Sequence, residues 1–343
     1  MKGKSMLYAP DFRPALAGTT QLRYRPKMSP VVETIAFVFG LVGLGYCAGW
    51  AGLLRPQVGD ALTDFAIVVA VPALLFRTMI GVDFHGAAPW SLWLAYFSSV
   101  PVVWITGHMV ATRIFGRDAA AGVVAGIAAS FSNLLLLGIP FMQGVFGQPG
   151  IEVLSLVLSV HLPIMMAASI VMFELVRRKE GKSSDPLRVL RDFLRNLFTN
   201  PLIIGILAGL AWRITGLPMP SLGMRFIDAF AGIAGTVALF AMGLGLRKFG
   251  ISGNVKPALA LSFLKLMLLP GVVLVAVIVI GLPPLPAQVL VVAASMPTGV
   301  NPYLIATRFG TGQVLASNTM TISTACAILT TGFWLTVAQR FLG

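Results

Sequence analysis

The chain has 343 residues, of which 57% are hydrophobic and only 11% are charged. Soluble proteins carry about 25% charged residues, so this composition excludes an ordinary soluble domain and predicts a protein that crosses a membrane several times. The formal net charge is +13. We attribute it to membrane orientation and not to nucleic-acid binding, because the basic residues lie in polar stretches between apolar segments and form no basic-aromatic patch.

The N-terminal stretch from Met1 to Met28 carries six basic side chains and contains no apolar run. We therefore expect a disordered basic tail over residues 1–28 and not a signal peptide. Met28 lies directly before the first apolar segment. An alternative hypothesis is that translation begins at this methionine.

Ten apolar segments follow, and about 20 residues suffice to cross the hydrocarbon core of a bilayer. The segments comprise residues 30–52, 58–81, 88–116, 119–147, 149–176, 198–216, 222–246, 255–281, 284–309 and 312–341. A long polar stretch separates the fifth segment from the sixth. We predict an all-α membrane protein with a first five-helix repeat over residues 29–176, a basic linker over 177–197 and a second five-helix repeat over 198–343.

The two halves resemble each other at an almost constant offset. Asp64 in the first half recurs as Asp228 in the second, and Phe146 recurs as Phe309 at nearly the same spacing. A duplicated unit of this size is typical of secondary transporters. Because five crossings return the chain to the opposite face, the second repeat is predicted to be inverted relative to the first.

The distribution of Lys and Arg in the loops predicts the orientation. The face that holds the 177–197 linker carries 14 such residues in its loops, and the other face has four when the tail is set aside. The positive-inside rule therefore predicts a cytoplasmic linker, with both termini outside a plasma membrane. The six basic residues of the tail conflict with this orientation.

The fourth and ninth segments carry polar and helix-breaking residues at mid-membrane depth. Residues 130–140 read SFSNLLLLGIP and residues 295–302 read SMPTGVNP. Proline removes a backbone donor and frees carbonyl groups that lipid cannot satisfy. We predict two broken helices that line a cavity, and the alternative is a pair of ordinary proline kinks.

Lys265 lies near the middle of the eighth segment. A charge at that depth costs about 2.5–3.5 kcal/mol on insertion scales, so the side chain should face the protein interior. Lys265 either supplies positive charge to an anion in the cavity or pairs with Asp64 or Asp228.

Three residues are candidates for proton coupling. His161 lies at mid-depth in the fifth segment, and histidine changes charge near neutral pH; the alternative is a neutral group that is hydrogen-bonded within the bundle. Asp64 and Asp228 lie inside their segments. Each is either a titrating group or a solvated residue near a helix start.

Enzyme motifs are absent from the sequence. It has no His-Glu-x-x-His, Walker or nucleophile-elbow pattern,. The two cysteines and three histidines are scattered among unrelated segments and predict neither a metal site nor a cofactor. We expect a protein that is not an enzyme and that ATP does not power directly.

Four motifs in order resemble the auxin efflux carrier family of permeases. They are residues 69–76 (VAVPALLF) in the second segment, Asn133 with residues 138–140 (GIP) in the fourth, residues 200–204 (NPLII) in the sixth and residues 296–301 (MPTGVN) in the ninth. Residues 159–163 (SVHLP) and 297–301 are most similar to bacterial members of a malonate or organic-acid type. Asp64 departs from the family, whose members often have a basic or amide residue there.

The resemblance implies ten helices in two inverted repeats, with the broken fourth and ninth helices crossing beside the substrate. It also implies transport of a small organic anion by alternating access, one domain moving against a scaffold, and a homodimer. Carried over by position, these residues would form the substrate site: Asn133, Gly138, Pro140, Pro297, Thr298 and Asn301.

Together these observations predict a secondary transporter of a small carboxylate anion. Broken-helix N-termini and asparagine side chains would bind the carboxylate, with Lys265 supplying positive charge nearby. The alternative function is a membrane ligand sensor that uses the same fold without transport. An intramembrane enzyme would need a nucleophile or an acid-base residue, for which the sequence offers no candidate.

Overall fold

The computed structural model describes residues 30–82, 88–179, 191, 194–195, 198–249, 251–253 and 255–343. The predicted tail, residues 1–28, and most of the predicted linker lie outside these ranges. The α-helices are α1 (Pro30–Trp50), α2 (Pro56–Phe65), α3 (Val71–Ile80), α4 (Pro89–Met109), α5 (Ala119–Ser130), α6 (Ile139–Lys179), α7 (Pro201–Thr215), α8 (Ser221–Phe249), α9 (Lys256–Phe263), α10 (Leu269–Ile280), α11 (Pro284–Ser295), α12 (Asn301–Phe309) and α13 (Gln313–Leu342).

Seven helical segments of the described chain are long and apolar enough to cross a membrane, and α5, α7 and α11 are shorter apolar helices. In the same residues the extended structure is limited to one isolated bridge. The predicted class, an all-α membrane protein with several crossings, is confirmed. The number of ten crossings and the inverted relation of the two halves stay predictions.

Within the described ranges, π-helical turns interrupt or extend several helices. They are Ala66–Ala70, Val110–Ile114, Leu134–Gly138 and Leu264–Leu268. The last of them precedes Pro270, which has no N–H to donate to the carbonyl of Leu266 four residues earlier. The indole Nε1 of Trp334 on α13 donates to this carbonyl at 2.7 Å instead. A neighbouring helix therefore satisfies the group that the proline leaves free.

The long helix α6 contains a sharp joint at Gly147, whose φ of 65° and ψ of −150° are not helical. This region of backbone conformation is open mainly to glycine. The joint divides α6 at the boundary that the sequence predicts between the fourth and fifth apolar segments.

One group of helices consists of α1, α2, α3, α7 and α8, with α1 packed along α8 and α3 packed along α7. Glycines allow the first pair to approach closely. A Cβ on Gly243 would overlap the Val42 carbonyl, and a Cβ on Gly45 would overlap the Phe240 carbonyl. Such close packing is a main source of helix association in a bilayer, because lipid tails are as apolar as the side chains and the hydrophobic effect does not favour contact between helices.

A second group consists of α4, α5 and α9 to α13, in which α4 packs on α5 and α11 packs on α10 and α13. The helix α6 contacts members of both groups, and the Leu134–Gly138 turn reaches α8. Contacts between the groups are sparser than contacts within them. The stretch around the first helix break therefore lies at the boundary between two internally well-packed bodies.

Candidate functional site

In the described bundle, a non-helical stretch lies inside each of the two apolar segments that the sequence singled out. α5 ends at Ser130 and the Leu134–Gly138 turn follows, while α11 ends at Ser295 and α12 begins at Asn301. Pro297 contributes to the second interruption, because it has no N–H with which to continue α11.

The two interrupted stretches pair with each other in antiparallel fashion. The backbone N–H of Asn133 donates to the Pro297 carbonyl at 2.8 Å, and the N–H of Gly299 donates to the Phe131 carbonyl at 3.2 Å. Backbone groups in a membrane must find partners inside the protein. Each break therefore supplies the hydrogen bonds that the other one needs.

Side chains cap the carbonyl ends of the two interrupted helices. The Thr298 hydroxyl donates to the Ala128 carbonyl of α5 at 2.7 Å, and the Lys265 ammonium donates to the Ala294 carbonyl of α11 at 2.7 Å. Terminal carbonyls of a helix lack intrahelical partners, and the partial negative charge there favours a cation. Lys265 is fully buried, and its hydrogen bond goes to this carbonyl and not to Asp64 or Asp228.

Two further side chains hold the crossing from outside. The Tyr96 hydroxyl of α4 donates to Ser132 Oγ at 2.8 Å, and Ser323 Oγ of α13 accepts from the Thr298 backbone N–H at 3.1 Å. All four residues are buried. The crossing is therefore tied to the second helix group on two sides.

A cavity of about 220 Å³ lies beside the crossing, and we call it the crossover cavity. Its polar lining residues are Ser132, Asn133, His161, Asn200 and Asn301. Leucine and isoleucine side chains dominate the rest, and none of the described lining residues is Asp, Glu, Lys or Arg. A mostly apolar wall with a few convergent polar groups is typical of small-molecule sites, and the volume is below the roughly 300–1,000 Å³ of sites for drug-sized ligands.

His161 is the titratable residue in this lining. The side chain is 2% exposed, and neither ring nitrogen meets a partner in hydrogen-bonding geometry, although the Ser132 backbone lies close to the ring. The rings of Tyr96 and Phe131 stand edge-on to the imidazole, with centroids 5.6 and 4.8 Å away. Buried polar groups normally have a hydrogen-bond partner, so the two unpaired nitrogens indicate that a ligand binds beside the ring.

Asn133 presents an amide to the same cavity. Its Oδ1 accepts from the Leu136 backbone N–H at 3.2 Å and caps the turn that follows,. Its Nδ2 lies 3.4 Å from the sulfur of Met242 on α8, and a thioether is a weak acceptor. The Nδ2 group is therefore available to a stronger acceptor such as a carboxylate oxygen.

A second cavity, of about 640 Å³, is lined by the start of α6 together with α1, α3 and α8. Its charged lining residues are Glu33 and Arg77. Arg77 Nε lies 2.9 Å from Asp228 Oδ1, with side-chain exposures of 41% and 44%. The pair links α3 to α8 beside this cavity.

The structure brings three of the predicted site residues together in the crossover cavity: Asn133, Asn301 and His161. The other predicted residues lie elsewhere. Four of them form hydrogen bonds in or around the crossing and do not line the cavity: Gly138, Pro297, Thr298 and Lys265. Pro140 lines the second cavity, and Asp228 pairs with Arg77. Asp64 is exposed on α2 and lines neither cavity.

Sequence reasoning assigned no site role to Ser132, Asn200 or Arg77. Asn200 both borders the cavity and caps α7, where its Oδ1 accepts from the Leu202 N–H at 2.9 Å. The Asn-Pro pair that opens the second half was the available signal for it. Nothing in the local sequence places Arg77 beside a cavity, because that position depends on contacts with other helices.

Comparison with known proteins identifies relatives along most of the chain. The profile of a family described as membrane transport protein matches residues 30–335. A provisionally named malonate transporter of Rhizobium meliloti is 25% identical over 320 residues, covering 88% of this chain and 94% of that protein. An uncharacterized transporter of Methanothermobacter thermautotrophicus is 25% identical over 312 residues, covering 89% and 97%. A lysosomal cholesterol signaling protein of Mus musculus is 28% identical over 216 residues, covering 60% of this chain and 24% of that protein.

Proposed function

Because this chain belongs to the membrane transport protein family, we propose that it is a secondary transporter that carries a small organic carboxylate across a cytoplasmic membrane by alternating access. The family resemblance predicted from the four motifs is confirmed by the match over residues 30–335. The observation that carries the substrate proposal is the crossover cavity, where two broken helices leave uncharged polar side chains facing a small space,.

The chemistry of the crossover cavity suits a carboxylate. Four of its lining side chains can donate hydrogen bonds to a ligand: the amides of Asn133, Asn200 and Asn301 and the imidazole of His161,. Hydrogen bonds to an ionised acceptor are roughly twice as strong as neutral ones. The volume of about 220 Å³ favours a small acid, such as the malonate in the name of the Rhizobium relative, over a sterol-sized ligand.

The arrangement of cavities supports alternating access. Residues 134–136 line the crossover cavity, and residues 139–140 and 143–144 line the second cavity. The Leu134–Gly138 turn therefore separates the two spaces, at the boundary between the two helix groups. A shift of one group against the other would open the crossover cavity to one side and then to the other.

The proposal also covers the orientation of the chain in the membrane, its oligomeric state and the coupling of transport to a proton. We place the 177–197 linker in the cytoplasm and both termini outside, on the charge asymmetry of the loops, and we propose a homodimer. Of the three coupling candidates, His161 lines the crossover cavity, whereas Asp64 and Asp228 do not. Labelling of single cysteines placed in the linker, in sealed vesicles of known sidedness, tests the orientation.

Uptake of radiolabelled malonate by proteoliposomes tests the function, with protein-free liposomes as the blank. Replacing Asn133 or Asn301 with alanine removes one donor to a charged ligand, worth about 1.5–3 kcal/mol, and should weaken malonate binding about 10- to 150-fold. Gln339→Ala is the matched control, because Gln339 is an exposed amide on α13 that lines neither cavity. Unchanged uptake in both asparagine variants would refute the placement of the site.

A ligand sensor would bind without moving its ligand. Malonate that stabilises the purified protein but does not accumulate in proteoliposomes would therefore favour the sensor over the transporter. A panel of mono- and dicarboxylates, tested by thermal shift before the flux assay, identifies the preferred acid.

A further inference from the structure

The crossover cavity has no fixed charge to balance an anion. None of its described lining residues is acidic or basic, apart from the imidazole of His161. An ionised carboxylate that leaves water for such a space loses its hydration, and groups in this situation normally gain a counter-charge or change protonation state. The compensating charge must therefore come from a nearby cation or from a proton that enters with the ligand.

Lys265 is the nearby cation, but it does not contact the cavity. Its ammonium donates to the Ala294 carbonyl at 2.7 Å and is fully buried, where the carbonyl end of α11 offsets part of its charge. A positive charge on Lys265 acts on the His161 ring through space and disfavours a second positive charge there while the cavity holds no anion,. Tyr96, the other titratable group close to the ring, donates its hydroxyl to Ser132. Neither side chain supplies a donor at the ligand position.

His161 can take up the proton that would balance an anion in the cavity. Both of its nitrogens lack a hydrogen-bond partner although the side chain is only 2% exposed. A neutral imidazole has one N–H donor and one acceptor nitrogen, and the acceptor would face a carboxylate unfavourably or stay unpaired. A protonated ring has two donors and no acceptor. Carboxylate binding and protonation of the ring therefore favour each other.

We propose that a carboxylate and a proton enter the crossover cavity together, with the proton bound at His161. The inference rests on the proposed function, since it needs a carboxylate in this cavity. The proton leaves a buffer acid or water and binds the lone pair of the free imidazole nitrogen, and no bond of the ligand breaks. The bound proton removes one unit of negative charge from the loaded site, which therefore crosses the membrane at lower electrostatic cost than the bare anion.

Calorimetry of malonate binding to the purified full chain tests the proposal. Titrations near neutral pH in two buffers of different ionisation enthalpy should give different heats, corresponding to uptake of about one proton per malonate. The dissociation constant of the wild-type protein should also rise about tenfold per pH unit above neutrality, because the proton is bound only in the complex. Equal heats in both buffers, or a dissociation constant independent of pH, would overturn the proposal.

The variants His161→Gln and His108→Gln assign the proton. Glutamine keeps a donor but cannot take up a proton, so the first variant should bind malonate more weakly and without proton uptake. His108 lies near the end of α4 outside the cavity, and its variant should keep the uptake. Uptake that persists in His161→Gln means that malonate carries the proton, which rejects the role of His161. Absence of malonate binding by the wild type would instead count against the proposed function.

Discussion

Replacement of Thr298 with valine removes one hydroxyl from the centre of the crossing and keeps the shape of the side chain. The hydroxyl donates to the Ala128 carbonyl at 2.7 Å, and both residues are fully buried. α5 ends at Ser130, so no backbone N–H of α5 is positioned to replace the lost donor,. The variant therefore leaves a buried carbonyl without a partner.

Two scales set the magnitude of this loss. An unsatisfied buried acceptor costs about 1–3 kcal/mol in soluble proteins, whereas interhelical hydrogen bonds in membranes contribute about 0.6 kcal/mol on average and about 1.7 at most. Because no backbone donor can replace the hydroxyl, we expect a loss of about 1–2 kcal/mol in the free energy of unfolding. This corresponds to a 5- to 30-fold decrease in the ratio of folded to unfolded protein.

Reversible unfolding of the purified protein in detergent measures this difference, with Thr319→Val as the control. Thr319 is equally buried, but its hydroxyl donates at 2.8 Å to the Leu315 carbonyl of its own helix, which the helix already satisfies,. The control should lose less than about 0.5 kcal/mol. If the two variants are equally stable, the hydroxyl does not cap α5 and the account of the crossing is wrong.

Two further substitutions test the packing and the buried charge. Gly243→Ala should destabilise the protein by about 1–3 kcal/mol, because the new Cβ overlaps the Val42 carbonyl,. The control is Gly43→Ala in α1, which should be nearly neutral because a Cβ there meets nothing within 4 Å. Equal melting curves for the two variants would contradict the close approach of α1 and α8. Lys265→Met should change the free energy of unfolding by less than about 1 kcal/mol, because the lost cap on Ala294 and the removal of a buried charge oppose each other. A loss above about 3 kcal/mol in thermal melts would mean that the ammonium has a stronger partner than this carbonyl.

The sequence predicted the location of both helix breaks because their cause is local. In both segments proline, glycine and asparagine occur together within a few residues, and this combination disfavours a continuous lipid-facing helix,. His161 and two of the three asparagines that line the crossover cavity, Asn133 and Asn301, were predicted for the same reason, as polar groups at a depth where lipid cannot accept them,.

The sequence could not predict which of the polar residues cap a helix and which line the cavity. Thr298 and Asn301 lie close together in one motif, yet the first caps a helix and the second lines the cavity. Their roles depend on how the two breaks pair, and the pairing partners belong to opposite halves of the sequence. The same holds for Arg77 and Asp228, which the sequence presents as unrelated charges.

The mutual pairing of the two breaks also constrains the order in which the protein can be completed during its synthesis. The N–H of Asn133 has its acceptor in Pro297, which the ribosome adds only when most of the second half has been made. Until then this donor lacks its final partner, and a newly inserted first half holds a backbone group that the bilayer cannot satisfy. We therefore expect the crossing to reach its final form only after the ninth apolar segment has been inserted.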